Sequence, residues 1–180
     1  MLSREKIFIT PLDKVDEGIE LCLDNAFQYL EEAELLLQKG NSNHALGLLV
    51  LAAEEAGKAK MLLTKRKIAK ERKFNYVNFE PSEGFYDHEI KIRQIALDVA
   101  KDETIAYLKG SKQKLPASDY VVTLIDAGTR LREATFYIDF DTKSKDWVWL
   151  TKANVDDQKL SHLIRNIREA TKHMRKRSTL

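Results

Sequence analysis

Residues 47–63, GLLVLAAEEAGKAKMLL, constrain this chain more than any other stretch. The helix that contains them runs from about Ser42 to Arg66 and is apolar nearly all round through Ala53. A helix of that kind belongs at the centre of a bundle. Yet its middle carries Glu54, Glu55 and Lys58. Ionised carboxylates are expensive to bury unless a partner neutralises them. Neighbouring helices must therefore bring polar groups to meet them, so the stretch predicts both a bundle and a polar cluster inside it. Adjacent helical residues diverge by about 100°, which leaves open whether Glu54 or Glu55 points inward.

The first helix runs from about Lys14 to Lys39, with Ile19, Leu23, Ala26, Leu30, Ala33 and Leu37 at helical spacing and Gly40 as a stop. The short KGNS connection makes it an antiparallel hairpin with the second helix. Residues 67–85 begin charged and end with proline and glycine, which reads as a long irregular crossover. A third helix starts near Tyr86 with the stripe His88, Ile92, Ile95 and Val99, and a fourth runs from Ser118 or Asp119 to about Ile138. DFDTKSKDWVWLTKANVDD reads as a second irregular connection. The last helix, from about Asp156, uses Leu160, Leu163, Ile164, Ile167 and Met174, then dissolves into RKRSTL. No strand pattern is strong, and neither an internal repeat nor a second domain is visible. The expected fold is all-α, an up-and-down bundle of about five helices. It forms a single domain over 1–180, with a basic C-terminal tail from about 172.

Composition agrees and narrows the chemistry. Three prolines and seven glycines are few enough for a helical protein. The single cysteine, Cys22, excludes an internal disulfide framework and any multi-thiolate metal site, and its apolar neighbours read as packing. A net charge of +2 does not by itself imply nucleic-acid binding. The run Leu46–Ala53 is too short to span a membrane, and MLSREKIFITPLDK has charges where a signal peptide needs an apolar stretch. A soluble cytoplasmic protein without membrane contact is expected. Di-iron bundles need Glu-x-x-His pairs. Here His44, His88, His162 and His173 follow Asn41, Phe85, Lys159 and Ala170 at that spacing. No His-Glu-x-x-His motif and no phosphate loop exist either, so neither metal nor cofactor is expected.

Polar groups do gather on the inward stripes. Lys58 lies one helical turn from both Glu54 and Glu55. His88 and Lys91 share a face that extends Ile92 and Ile95, and Arg132 sits beside the buried stripe of the fourth helix. One reading is a structural ion-pair network that fixes helix register. The other is a pocket in which His88 acts as acid or base while Lys91 and Arg132 hold an anion, with phosphate the natural candidate.

Taken in order, HALGLLVLAAEEAGKA, FYDHEIKIRQI and LREATFYIDF, with a tryptophan soon after, resemble the AbiV family of bacterial abortive-infection proteins, a branch of the HEPN superfamily. The resemblance runs from the first helix through Trp149. It rests on the combined order of Glu-Glu-x-x-Lys, His-x-x-Lys and Arg-x-x-x-x-Tyr-x-Asp. It implies a helical bundle, often a homodimer, acting in antiviral defence against bacteriophage, with a phage-encoded protein as trigger. By position the family pattern falls on Glu54, Glu55, Lys58, His88, Lys91, Arg132, Tyr137 and Asp139. HEPN domains are frequently metal-independent ribonucleases with an Arg-x(4–6)-His motif, which makes RNA a further partner to consider.

Arg168 and His173, in REATKH, are the pair that matches that ribonuclease spacing. Five residues turn a straight helix by about 140°, so the two side chains diverge unless a kink or a dimer brings them together. The basic runs TKRKIAKERK (64–73) and KHMRKR (172–177) could neutralise phosphates, or simply complement helix C-termini. Phe136, Tyr137, Phe140, Trp147 and Trp149 read as core packing or the cover of a dimer seam. Two mechanisms follow: arrest of growth or translation through a phage or host partner, or RNA cleavage without a metal.

Overall fold

The computed structural model describes residues 8–95, 138–141, 146–149 and 156–179. Its elements in chain order are β1 (Phe8–Pro11), α1 (Leu12–Gln38), α2 (Ser42–Glu71), β2 (Tyr76–Phe79), a 3-10 turn (Pro81–Glu83), α3 (residues 88–95 as described), β3 (Ile138–Asp141), β4 (Asp146–Trp149) and α4 (Asp157–Ser178). Most described residues are helical, as expected.

Helix α1 buries Val15, Ile19, Leu23, Ala26, Leu30 and Ala33, one stripe at steps of three and four residues. It stops at Gly40, whose φ of 75° lets the chain turn while its N–H and that of Asn41 donate to the carbonyls of Leu37 and Leu36. Helix α2 is buried on most sides from Ala45 to Ala59, which makes it the central helix. It outlasts the expected end near Arg66 because Ala69 still finds the core and its neighbours Lys67, Lys70 and Glu71 are good helix formers. Lys73, at φ 58°, then turns the chain out.

Contacts along the helices set their directions. Glu34, Asp24 and Glu20 of α1 meet Arg168, Arg175 and Ser178 of α4, so these two helices are antiparallel. Ser42 at the start of α2 donates to Asp157 at the start of α4, and Arg66 meets the carbonyls of Arg177 and Ser178 near the other end. Helices α2 and α4 therefore run in the same sense. So do α2 and α3, since Glu54, Gly57 and Lys60 lie against His88, Lys91 and Gln94 in turn. An up-and-down order is thus corrected: α2, α3 and α4 share one direction, and among the described helices only the α1–α2 pair is a simple hairpin. Four helices are described rather than five, and the helix expected over 118–138 lies outside the described residues up to Ile138, which opens β3.

Two further expectations change. Part of the crossover after α2 is β2, paired antiparallel with β1 in the register Phe8↔Phe79 and Thr10↔Val77. Val77 and Phe79 are buried there, closing the bundle beside the start of α1. The segment read as a second irregular connection contains an antiparallel hairpin, with Ile138↔Trp149 and Phe140↔Trp147. Strands of four residues offer only two positions per face, too few for a period to stand out. Finally, the basic run 172–177 is helical, because α4 continues to Ser178.

Candidate functional site

The cluster forms where α3 crosses the middle of α2. Gly57 makes the crossing close: a Cβ there would stand 2.0 Å from the carbonyl oxygen of Lys91. Only hydrogen fits, so the two backbones pack at a distance set by glycine. Asp87 begins α3 by accepting the Ile90 N–H on its Oδ1 at 3.1 Å, which caps the helix and aims His88 and Lys91 at α2. Lys60 Nζ reaches the Gln94 carbonyl at 2.8 Å and ties the far end of the contact.

Glu54 is the inward carboxylate, only 4% exposed. Its Oε2 lies 2.7 Å from His88 Nδ1 and 3.8 Å from Lys91 Nζ. Lys91 is equally buried, at 4% exposure. Burial pushes its pKa down from the usual lysine value, the Glu54 charge opposes that, and Lys58 adds to the lowering. The His88 side chain keeps 36% of its surface open. Glu54 Oε1 is buried and has no hydrogen-bond partner among the described residues.

Glu55 points elsewhere, as the helical rotation requires. It pairs with Lys58 at 2.5 Å and lies toward Cys22 of α1. Burial, with the Glu55 charge adding to it, pushes the Cys22 thiol up to about 11. The thiol therefore stays protonated and is a packing group rather than a nucleophile. Glu54, Glu55, Lys58, His88 and Lys91 do come together, then, but as a triad of Glu54, His88 and Lys91 facing α3 and an adjoining Glu55–Lys58 pair facing α1.

The other expected site residues lie apart. Arg168 donates to Glu34 Oε2 at 2.8 Å on the α1 side of α4, whereas His173 is solvent-exposed. Arg132 and Tyr137 lie outside the described residues, and the strand residue Asp139 is described in its backbone pairing alone. In the first basic run, Lys65 pairs with Glu83 at 2.5 Å, and Arg66, only 8% exposed, donates to Asp16 at 2.6 Å and to the last carbonyls of α4. In the second, Lys172 pairs with Glu169 and Arg175 with Asp24. Gly57 and Arg66 are the residues that sequence reasoning passed over. A glycine inside an apolar helix is a signal of close approach, and it was available. Nothing in the local pattern sets Arg66 apart from the lysines beside it.

Among the described residues no group of histidine, cysteine, aspartate and glutamate could hold a metal ion, and no helix is long and apolar enough to cross a membrane. The family model HEPN_AbiV, described as AbiV, matches residues 14–171. No curated protein and no solved structure matches the chain.

Proposed function

The chain belongs to the AbiV family, within HEPN, and from that premise we propose that it is an abortive-infection protein that arrests growth or translation on phage infection by binding a phage or host partner. The observation that carries this reading is the commitment of the candidate cations among the described residues. Lys91 is buried against Glu54, Lys58 is paired with Glu55, and Arg168 is paired with Glu34. Cations engaged inside the protein are poorly placed to hold a substrate phosphate, whereas such a network fixes α3 on α2 and keeps a binding surface in shape. The working form in this reading is a cytoplasmic homodimer.

A second reading, metal-independent cleavage of RNA, is favoured by one contact. The Glu54–His88 pair is the arrangement that orients an imidazole for proton transfer. Phage plating separates the two. Cells producing the chain should plate phage poorly, and a folded His88→Ala variant at matched level should protect as well as the parent. Loss of protection by that variant, with chelator-resistant cleavage of total RNA by the parent protein, would replace partner binding with the enzymatic reading.

A further inference from the structure

The end of α2 carries Lys65, Arg66, Lys67, Lys70, Arg72 and Lys73 beside a single acid, Glu71. The first three are answered, by Glu83, Asp16 and Glu71 in turn. The side chains of Lys70, Arg72 and Lys73 are exposed, and none of them has an ion pair among the described residues. Lys73 also stands in the left-handed region, at φ 58°, one residue beyond the helix cap. Glycine is the ordinary residue at that position, because a Cβ strains it. The helix dipole accounts for a cation in the last turn, but not for lysine where glycine would fold more easily. Two exposed rings follow at once. Phe74 and Tyr76 stack with centroids 5.8 Å apart and planes 13° from parallel, and they keep 46% and 43% of their surface open. The β1–β2 ladder extends this shelf. Val77 and Phe79 turn inward, so alternation puts Tyr76 on the outer face, opposite Pro11 and diagonal to Ile9. Ile9 is 62% exposed. An apolar strip is thus bordered by three unanswered cations.

We propose that this strip is the docking surface for a protein partner, and that the partner presents an acidic segment bearing apolar side chains. The inference rests on the partner-binding reading above and names where that partner sits and what chemistry it brings. Carboxylates of the segment pair with Lys70, Arg72 and Lys73, while its apolar side chains cover Ile9, Phe74 and Tyr76. In such an interface the buried rings supply most of the affinity and the cations steer the approach. A strip that mixes an aliphatic side chain with rings suits protein side chains better than bases, which stack on a ring at each step. Its flat sheet face also differs from the amphipathic helix that lies in a membrane surface.

The test is a backbone NMR titration of the full chain with a synthetic peptide in which glutamate alternates with phenylalanine. Signals of Ile9 and of residues 70–76 should shift, the effect should weaken with salt, and a peptide with glutamine in place of glutamate should leave them unmoved. Tyr76→Thr, which keeps a strand former on the exposed face, should weaken peptide binding about tenfold or more. Lys73→Gly should melt at or above the parent's temperature and still weaken binding about two- to fivefold, which a merely structural lysine would not do. That variant keeps the test sharp even if Tyr76→Thr fails to fold. No shift at the strip with the acidic peptide overturns the proposal. So does a response of the same signals to polyuridylate or to anionic lipid vesicles at lower concentration than to the peptide, which would make the strip a nucleic-acid or membrane surface. In phage plating, a parent that protects while Lys73→Gly and Tyr76→Thr protect equally well also overturns it, and partner binding then lies elsewhere on the chain. A parent that gives no protection overturns the defence reading instead, and peptide binding at the strip still decides the docking surface.

Discussion

At the scale of single residues, the decisive object is a buried carboxylate between a lysine and a histidine. Truncating Glu54 to alanine leaves Lys91 charged and unpaired in the core, so the fold should lose about 3–5 kcal/mol, read from denaturant unfolding. Glu55→Ala should cost clearly less, because Glu55 keeps 15% of its side chain open and Lys58, at 27%, can turn to water. Equal losses from the two substitutions would contradict the inward assignment of Glu54. Cys22 gives a pH signature. Its folded pKa is raised from 9.0 to about 11, so between those values the unfolded thiol ionises while the folded one keeps its proton. Stability contributed by Cys22 is therefore full below pH 9 and is lost as pH rises toward 11. Cys22→Ala should remove that part of the alkaline slope, measured by urea melts across the window. Lys91 acts with the opposite sign, since its lowered pKa means that its burial cost is relieved as pH climbs toward the ordinary lysine value. The polar residues themselves were legible in the sequence, because charges on apolar stripes stand out. Which carboxylate meets which cation was not legible, because pairing depends on helix rotation and on the partner helix.

At the scale of elements, two contacts decide how helices lie on one another. Gly57 admits the Lys91 carbonyl, and Gly57→Ala should force α3 outward and destabilise the protein by about 1–3 kcal/mol. The same variant should lose the Glu54–His88 hydrogen bond, visible as a changed His88 ring signal, and a variant that keeps both stability and signal would refute the close crossing. Arg66 binds Asp16 and the terminal carbonyls of α4. Hydrogen bonds to a charged group are worth about 1.5–3 kcal/mol, so Arg66→Ala should lower stability by about that amount. Hydrogen exchange should then rise in the last turn of α4 while α1 stays protected. Helix α1 was legible nearly to the residue, since its stripe is long and ends at a glycine. The end of α2 was missed because a run of lysines reads as solvent, although such side chains also suit a helix. The β1–β2 ladder was missed because its partners are far apart in the chain and each strand is only four residues long.

Over the whole molecule, the family and the helical class follow from the sequence, while the layout of the bundle does not. An apolar helix interrupted by Glu-Glu-x-x-Lys must be central and must find charged partners, whatever surrounds it, because desolvation cost depends on burial and not on topology. That reasoning, together with the order of the motifs, was enough to identify AbiV and to put forward His88, Lys91 and Arg132 as candidates to meet Glu54 or Glu55, of which the structure sets His88 and Lys91 on Glu54. Helical periodicity, however, is the same read up or down. The pattern of each helix fits a neighbour running either way, so the sequence suggested simple alternation. Tertiary contacts instead set α2, α3 and α4 in one direction, through the matched steps of Glu54, Gly57 and Lys60 along α3 and the clasp of Arg66 on α4. The sequence by itself determined which residues had to be inside and that their charges had to be answered. Only the tertiary structure decided which charges answer them and that His88 turns its Nδ1 to Glu54, because those depend on the rotation and sense of one helix against another.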